Sequence, residues 1–205
     1  MGSVDSPEGA PMSVDTAAPA RTIAPADLAY VAVFAALIAA LALVPSFLLA
    51  GVPFSFAVIG VALAGLALGP WRGAAAVGLY VAAGAAGLPI FSGGRAGLGT
   101  LFGPTGGYIL SFTLAALVIG AFARLAVRRG ITSRSLVWML AGCVVARLAL
   151  ILPLGVAGLH LWGGMGIREA LLVDLPFIPL DLIKFVVAAL LAVSVHKAFP
   201  RLLGR

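Results

Sequence analysis

Residues 176–197 read Pro176-Phe-Ile-Pro-Leu-Asp181-Leu-Ile-Lys184-Phe-Val-Val-Ala-Ala-Leu-Leu-Ala-Val-Ser-Val-His196-Lys197. At 1.5 Å per residue a helix of this length crosses ~30 Å of hydrocarbon. The run is apolar on every face between Lys184 and His196, and it lacks the alternation of a barrel strand. Prolines suit the first turn of a helix, so the spacing predicts a start around Pro176 to Pro179.

Five similar runs precede it, near 27–45, 54–69, 73–89, 106–124 and 135–158. The chain as a whole is 62% hydrophobic and 10% charged, where a soluble domain keeps roughly 25% charged residues to cover its surface. The expected fold is therefore an all-α membrane protein of six transmembrane helices, with a glycine-rich outer loop between helices 3 and 4. The second run is short. The stretch 46–53, bracketed by Pro45 and Pro53, is expected to be bent or interfacial. Residues 1–26 are rich in Pro, Ala, Ser and acids and lack the basic and apolar regions of a secretory signal. They read as a disordered cytoplasmic tail before a six-helix substrate-binding domain at 27–200.

The net charge of +6 sits in short loops between apolar runs, which argues against nucleic acid as a partner. The basic residues instead orient the chain. With both termini in the cytoplasm of a plasma-membrane protein, Arg72, Arg124, Arg128, Arg129, Arg134, Lys197, Arg201 and Arg205 face inward. The outer loops keep Arg95 and Arg168, with Glu169 and Asp174 beside them. Cys143, the one cysteine, lies in an apolar run and reads as a small buried hydrophobe.

Charges within spanning helices need a partner or a polar cavity, since each costs roughly 2.5–3.5 kcal/mol at the helix centre. Asp181 and Lys184 are three apart and share one face about a turn below the outer surface. They read either as a self-neutralising ion pair or as a polar patch that meets a small ligand from outside. Arg147 lies near the middle of the fifth run. It reads as a packing or snorkelling arginine or as the floor of that site, and Asp181 is the only acid expected deep enough to answer it.

Residues 87–108 read Gly-Leu-Pro-Ile-Phe-Ser-Gly-Gly-Arg-Ala-Gly-Leu-Gly-Thr-Leu-Phe-Gly-Pro-Thr-Gly-Gly-Tyr. The glycines permit tight turns and close approach of backbone to a ligand or a helix. Backbone amides and Arg95 suit an anion. The segment lacks the Gly-Lys-Ser/Thr of a phosphate loop, and the cytoplasmic loops are too short for an ATPase. Any ATP-driven transport would take its energy from another subunit. In the first run Ala32, Ala36 and Ala40 repeat at four-residue spacing, as an internal contact or as a docking face for a partner.

The run Gly87-Leu-Pro-Ile-Phe-Ser-Gly-Gly followed by Gly103-Pro-Thr-Gly-Gly-Tyr108 resembles the BioY family, the biotin-specific binding components of energy-coupling-factor transporters. The Leu68-Gly-Pro-Trp-Arg-Gly73 turn and the Pro179-Leu-Asp-Leu-Ile-Lys184 helix start are similar too. The resemblance covers roughly 27–200. It implies a six-helix protein that binds biotin on the outer side and works with a transmembrane coupling protein and two cytoplasmic ATPases. It makes Asp181 and Lys184 the ligand contacts, adds Arg95, Gly106 and Tyr108 from the loop, and likens the alanine row to a docking motif. The text Val52-Pro-Phe-Ser-Phe-Ala57 departs from the pattern by lacking a Gln, which leaves Ser55 as the polar candidate there.

With a binding subunit of the same architecture for another vitamin as the alternative, the chemistry of biotin fits these residues. Its ureido ring offers two N–H donors to a carboxylate such as Asp181 and a carbonyl to a cation such as Lys184. Its carboxylate calls for Arg95, or for Lys184 with the roles exchanged. Phe91, Leu98 or Tyr108 would wall the apolar part. An enzyme reading finds no support, because His160, near the outer end of the fifth run, and His196, near the inner end of the sixth, lie at opposite faces of the membrane and cannot form one metal site, and no catalytic constellation is present. A metal or cofactor is not expected. A channel reading fails because polar residues do not line the full length of any helix.

Overall fold

The computed structural model describes residues 24–45, 48–49, 52–128, 130–199 and 202–203. The expected tail lies outside the described residues up to residue 23, as do Arg129, Arg201 and Arg205. The protein is mainly helical. Helix α1 is Pro25–Leu43, and α2 (Ala57–Leu68) and α3 (Pro70–Ala85) follow a two-stranded antiparallel hairpin, β1 (Leu48–Leu49) and β2 (Val52–Pro53). Within the stretch expected to be bent, the described residues pair as these strands, with Leu48 opposite Pro53 and Leu49 opposite Val52. A short α4 (Leu98–Leu101) leads into α5 (Gly106–Val127).

The expected fifth run is one long, interrupted helix. It comprises α6 (Ser133–Ala146), a wide π turn (Arg147–Ile151) and α7 (Leu152–Leu161). In the π turn the Leu152 N–H donates to the Arg147 carbonyl five residues back. Pro153 has no N–H to give the turn before it, and the helix widens just ahead of that proline. An unexpected surface helix, α8 (Ile167–Asp174), precedes α9 (Phe177–Ala198).

Four helical stretches are long and apolar enough to cross a membrane, namely Pro25–Leu43, Gly106–Val127, Arg134–Leu161 and Phe177–Ala198. Helix α2 spans only about 18 Å at 1.5 Å per residue, but all but one of its residues are buried, so it need not match the thickness of lipid. It turns into α3 at Gly69, whose φ of 81° suits glycine. Helix α1 is the opposite case. Only Ala35, Ile38 and Ala42 are buried, on the face that meets α2 and α3.

Helix α5 is central and packs on α2, α3, α6 and α7. Where lipid surrounds a bundle, close van der Waals packing replaces much of the hydrophobic drive, and small residues allow it. A Cβ on Gly107 would lie 1.9 Å from the Leu154 carbonyl oxygen, so glycine is what lets α5 and α7 touch backbone to backbone. At one end of the bundle Arg72 donates to Asp27 at 3.0 Å and to the Leu202 carbonyl, tying α1, α3 and the C-terminal segment together.

A second, smaller apolar cluster joins the hairpin, α7, α8 and the start of α9 through Val52, Phe54, Val156, Leu159, Ala170 and Phe177. The polar site lies at the seam between this cap and the main core.

Gly107→Ala is expected to force α5 from α7 and to cost roughly 1–3 kcal/mol by overpacking. Thermal unfolding in detergent checks this, and an unaltered midpoint would contradict the close crossing.

Candidate functional site

The site is assembled from the first turns of α9 outward. Asp181 and Lys184 lie one turn apart and are both buried, and the Lys184 ammonium donates to Asp181 Oδ1 at 2.9 Å. The same ammonium donates to the Ser55 carbonyl at 2.9 Å and sits 3.8 Å from the centroid of the Phe54 ring. The segment after β2 therefore holds Lys184 from the other side.

Arg147, 1% exposed, projects from the π turn into the same cluster. Its Nε donates to Asp181 Oδ2 at 2.8 Å. Its Nη2 donates to Asp174 Oδ2 at 2.7 Å. The expectation that Asp181 alone could answer Arg147 is thus corrected. Asp174, expected in an outer loop, is the last residue of α8 and is wholly buried. The cap folds it inward, where the Tyr108 hydroxyl also donates to its Oδ1 at 2.8 Å. Tyr108 is seated against Gly155, whose Cβ would lie 2.2 Å from the ring.

A partly open cavity lies beside these groups. Asp181, Lys184, Arg147, Arg95, Tyr108 and Ser55 all line it. Its apolar wall includes Val58, Ile109, Phe112, Ile151 and Phe177.

Arg95 reaches the cavity from the glycine-rich segment. A bridge between Phe91 and Arg95 closes a tight turn over Gly93 and Gly94, both with φ above +70°. The Arg95 Nε donates to the Ser92 carbonyl at 3.0 Å, and no acid pairs with this guanidinium among the described residues. Partial burial draws its pKa below the ordinary value, with Tyr80 opposing, but an arginine remains charged at physiological pH.

Buried polar atoms are normally paired, so unpaired ones mark where a guest or water belongs. Arg147 Nη1, Ser92 Oγ and Thr105 Oγ1 are buried without a partner, and all three residues line this cavity. Ser92, Thr105 and Asp174 were not singled out from the sequence. Hydroxyls flanking a glycine-rich loop carry no distinguishing spacing. The signal for Asp174 was the count of charges between 147 and 184, where two central cations call for two acids.

Other expected residues lie elsewhere. Gly106 does not line the cavity; it permits α5 to start against α4, since a Cβ there would meet the Leu101 carbonyl oxygen at 1.7 Å. Phe91 is fully buried edge-on to Tyr80, and Leu98 is 60% exposed; neither walls the cavity. Ala32, Ala36 and Ala40 are exposed along one side of α1. His160 lies near the end of α7 and His196, buried, bonds the Leu66 carbonyl at 2.9 Å.

A family model described as the BioY family matches residues 13–201. The chain belongs to the BioY family. It is 36% identical over 184 residues to the biotin transporter BioY of Rhodobacter capsulatus, covering 85% of this chain and 95% of that protein. It is 42% identical over 110 residues to the biotin transporter BioY of Thermotoga maritima, across 53% of this chain and 60% of the other, less than two thirds of that relative's length. Its fold matches the crystal structure of the S-component for biotin from an ECF-type ABC transporter with a TM-score of 0.76 and 26% identity, covering 84% of this chain and 91% of the other. Membership of the BioY family and four long apolar helices make this a multi-pass membrane protein.

Arg147→Leu removes the partner of two buried carboxylates and is expected to cost roughly 3–5 kcal/mol. The exposed Arg134→Leu serves as control, with a change within about 0.5 kcal/mol. Equal unfolding midpoints for the two variants in detergent would show that Arg147 is not the hub described above.

Proposed function

We propose that the cavity binds biotin and that the protein is the biotin-capturing subunit of an energy-coupled importer. The observation that carries this reading is the charge balance around the cavity. Arg147 and Lys184 are offset by Asp174 and Asp181, while Arg95 has no acidic partner among the described residues. The site is one positive charge in excess, which suits a ligand with a single carboxylate.

The polar end of the ligand fits the other side of the cavity. A carboxylate offers about four acceptor positions. Asp181 accepts one bond on each oxygen, from Lys184 and from Arg147, which leaves capacity for an N–H group of a ureido ring. The unpaired Arg147 Nη1 is a donor available for the ureido carbonyl. Lys184 is already engaged by Asp181, the Ser55 carbonyl and the Phe54 ring, so the ligand carboxylate falls to Arg95 rather than Lys184. The apolar wall receives the thiophane ring and alkyl chain. The names of the relatives, biotin transporters, point to the same guest.

In this reading α2 and α3 join the four long helices as crossings, giving six, with both termini in the cytoplasm and the glycine-rich segment and α8 outside. The basic residues Arg72, Arg124, Arg128 and Arg134 then face inward. The exposed alanine row Ala32, Ala36 and Ala40 on α1 docks a transmembrane coupling protein, which links the subunit to cytoplasmic ATPases.

Equilibrium binding of labelled biotin to the purified protein tests the ligand, with thiamine and riboflavin as competitors. Tight binding of either competitor in place of biotin would sink this assignment. Asp181→Asn is expected to weaken biotin binding by roughly 1.5–3 kcal/mol, the range of a hydrogen bond to a charged group. Arg95→Gln is expected to weaken biotin and to spare its carboxamide, which carries no charge to answer. The double substitution Ala36→Leu and Ala40→Leu is expected to abolish co-purification of partner subunits while biotin binding persists; intact assembly would remove the row from that role.

A further inference from the structure

Asp174 sits where a carboxylate is unwelcome. It closes α8, and an acid in the last turn opposes the helix dipole. It is also fully buried. Something must offset both costs, and Arg147 and Tyr108 do so at 2.7 and 2.8 Å.

The way Arg147 divides its bonds is informative. A guanidinium edge presents Nε and a neighbouring Nη as a fork that fits both oxygens of one carboxylate. Here the fork is shared. Nε goes to Asp181 and Nη2 goes to Asp174, so Arg147 touches Asp181 at one point only. Asp174 is itself held by the Tyr108 hydroxyl on its other oxygen, which directs Oδ2 toward Arg147.

We propose that Asp174 is a positioning residue for ligand capture, which keeps Arg147 from closing on Asp181 in a two-point pair. Without Asp174 the fork closes onto both Asp181 oxygens, competes with Lys184 for Oδ1 and consumes acceptors that a ligand N–H needs. Because Asp174 belongs to α8, the surface cap sets the receptive state of the site. The inference rests on the reading of the cavity as the ligand site, with Asp181 as the acceptor.

Full-length protein in detergent, with labelled biotin as the probe, supplies the test. Asp174→Asn keeps the shape of the side chain and removes its charge, and biotin affinity is expected to fall by about tenfold or more. Asp174→Glu disturbs packing but keeps the anion, and its affinity is expected to stay closer to that of the unaltered protein. An unaltered affinity in Asp174→Asn overturns the proposal, as does weaker binding by Asp174→Glu than by Asp174→Asn, the order that a packing role predicts. If Asp174→Asn does not fold, Tyr108→Phe frees Asp174 Oδ1 while retaining the ring. A fall of a few-fold supports the proposal and an unaltered affinity overturns it.

A ligand-free experimental structure of the Asp174→Asn protein separates this idea from the identity of the guest. Two-point contact between Arg147 and Asp181 supports the proposal even if the unaltered protein holds no biotin. Retention of the single-point contact overturns it whatever fills the cavity.

Discussion

A guanidinium sealed inside a bundle that lipid surrounds must be answered by negative charge, and the answer has to come from other parts of the chain. Arg147 is 1% exposed and draws together Asp181 of α9 and Asp174 of α8. Through Asp174 it reaches Tyr108 of α5, and through Asp181 it reaches Lys184 and the backbone at Ser55. Buried ion pairs seldom add net stability compared with apolar packing, but breaking one is costly. The network therefore acts less as a source of stability than as a constraint on geometry. Each element that supplies a member is confined to the position in which the charges balance.

The apolar architecture agrees with that constraint. Small residues let helices of the bundle approach closely, as the contact of Gly107 with the α7 backbone shows, and close packing leaves little room for adjustment. The second cluster is separate and smaller and ties the hairpin to α7, α8 and the head of α9. The cavity lies between them. One wall is thereby fixed by close helix packing, while the other includes Val52 and Pro53 of the hairpin and Phe177 at the head of α9.

Much of this was legible in the sequence because the lipid setting makes charge conspicuous. Asp181 and Lys184 stand out in an apolar helix, and their three-residue spacing brings them to one face as expected. Arg147 stood out for the same reason. What could not be read was how the chain returns on itself. Asp174 looks like a loop acid because it follows the polar Gly166-Ile-Arg-Glu169 stretch, and only the docking of Ala170 on α7 turns it inward. The π turn at Arg147–Ile151 leaves no mark in hydrophobic periodicity. Gly106 stands in the glycine-rich motif and allows the close approach of α5 to the Leu101 carbonyl, since missing side chains signal close approach without saying to what. The hairpin at 48–53 escaped because two-residue strands are too short for an alternation to register.

The arrangement also bears on what a loaded site means electrostatically. The inner four charges cancel among themselves, so among the described residues that line the cavity Arg95, in the glycine-rich segment, is the cation without an acidic partner. A guest with one carboxylate would cancel that last charge, and the site as a whole would become neutral. Neutrality lowers the cost of excluding water from the cavity, because an isolated charge in a medium of low dielectric constant is penalised far more than a paired one. A neutral guest of the same shape would leave Arg95 to be desolvated without compensation. Discrimination for an acid over its amide would then come as much from the protein's own unpaired cation as from any contact that the acid makes.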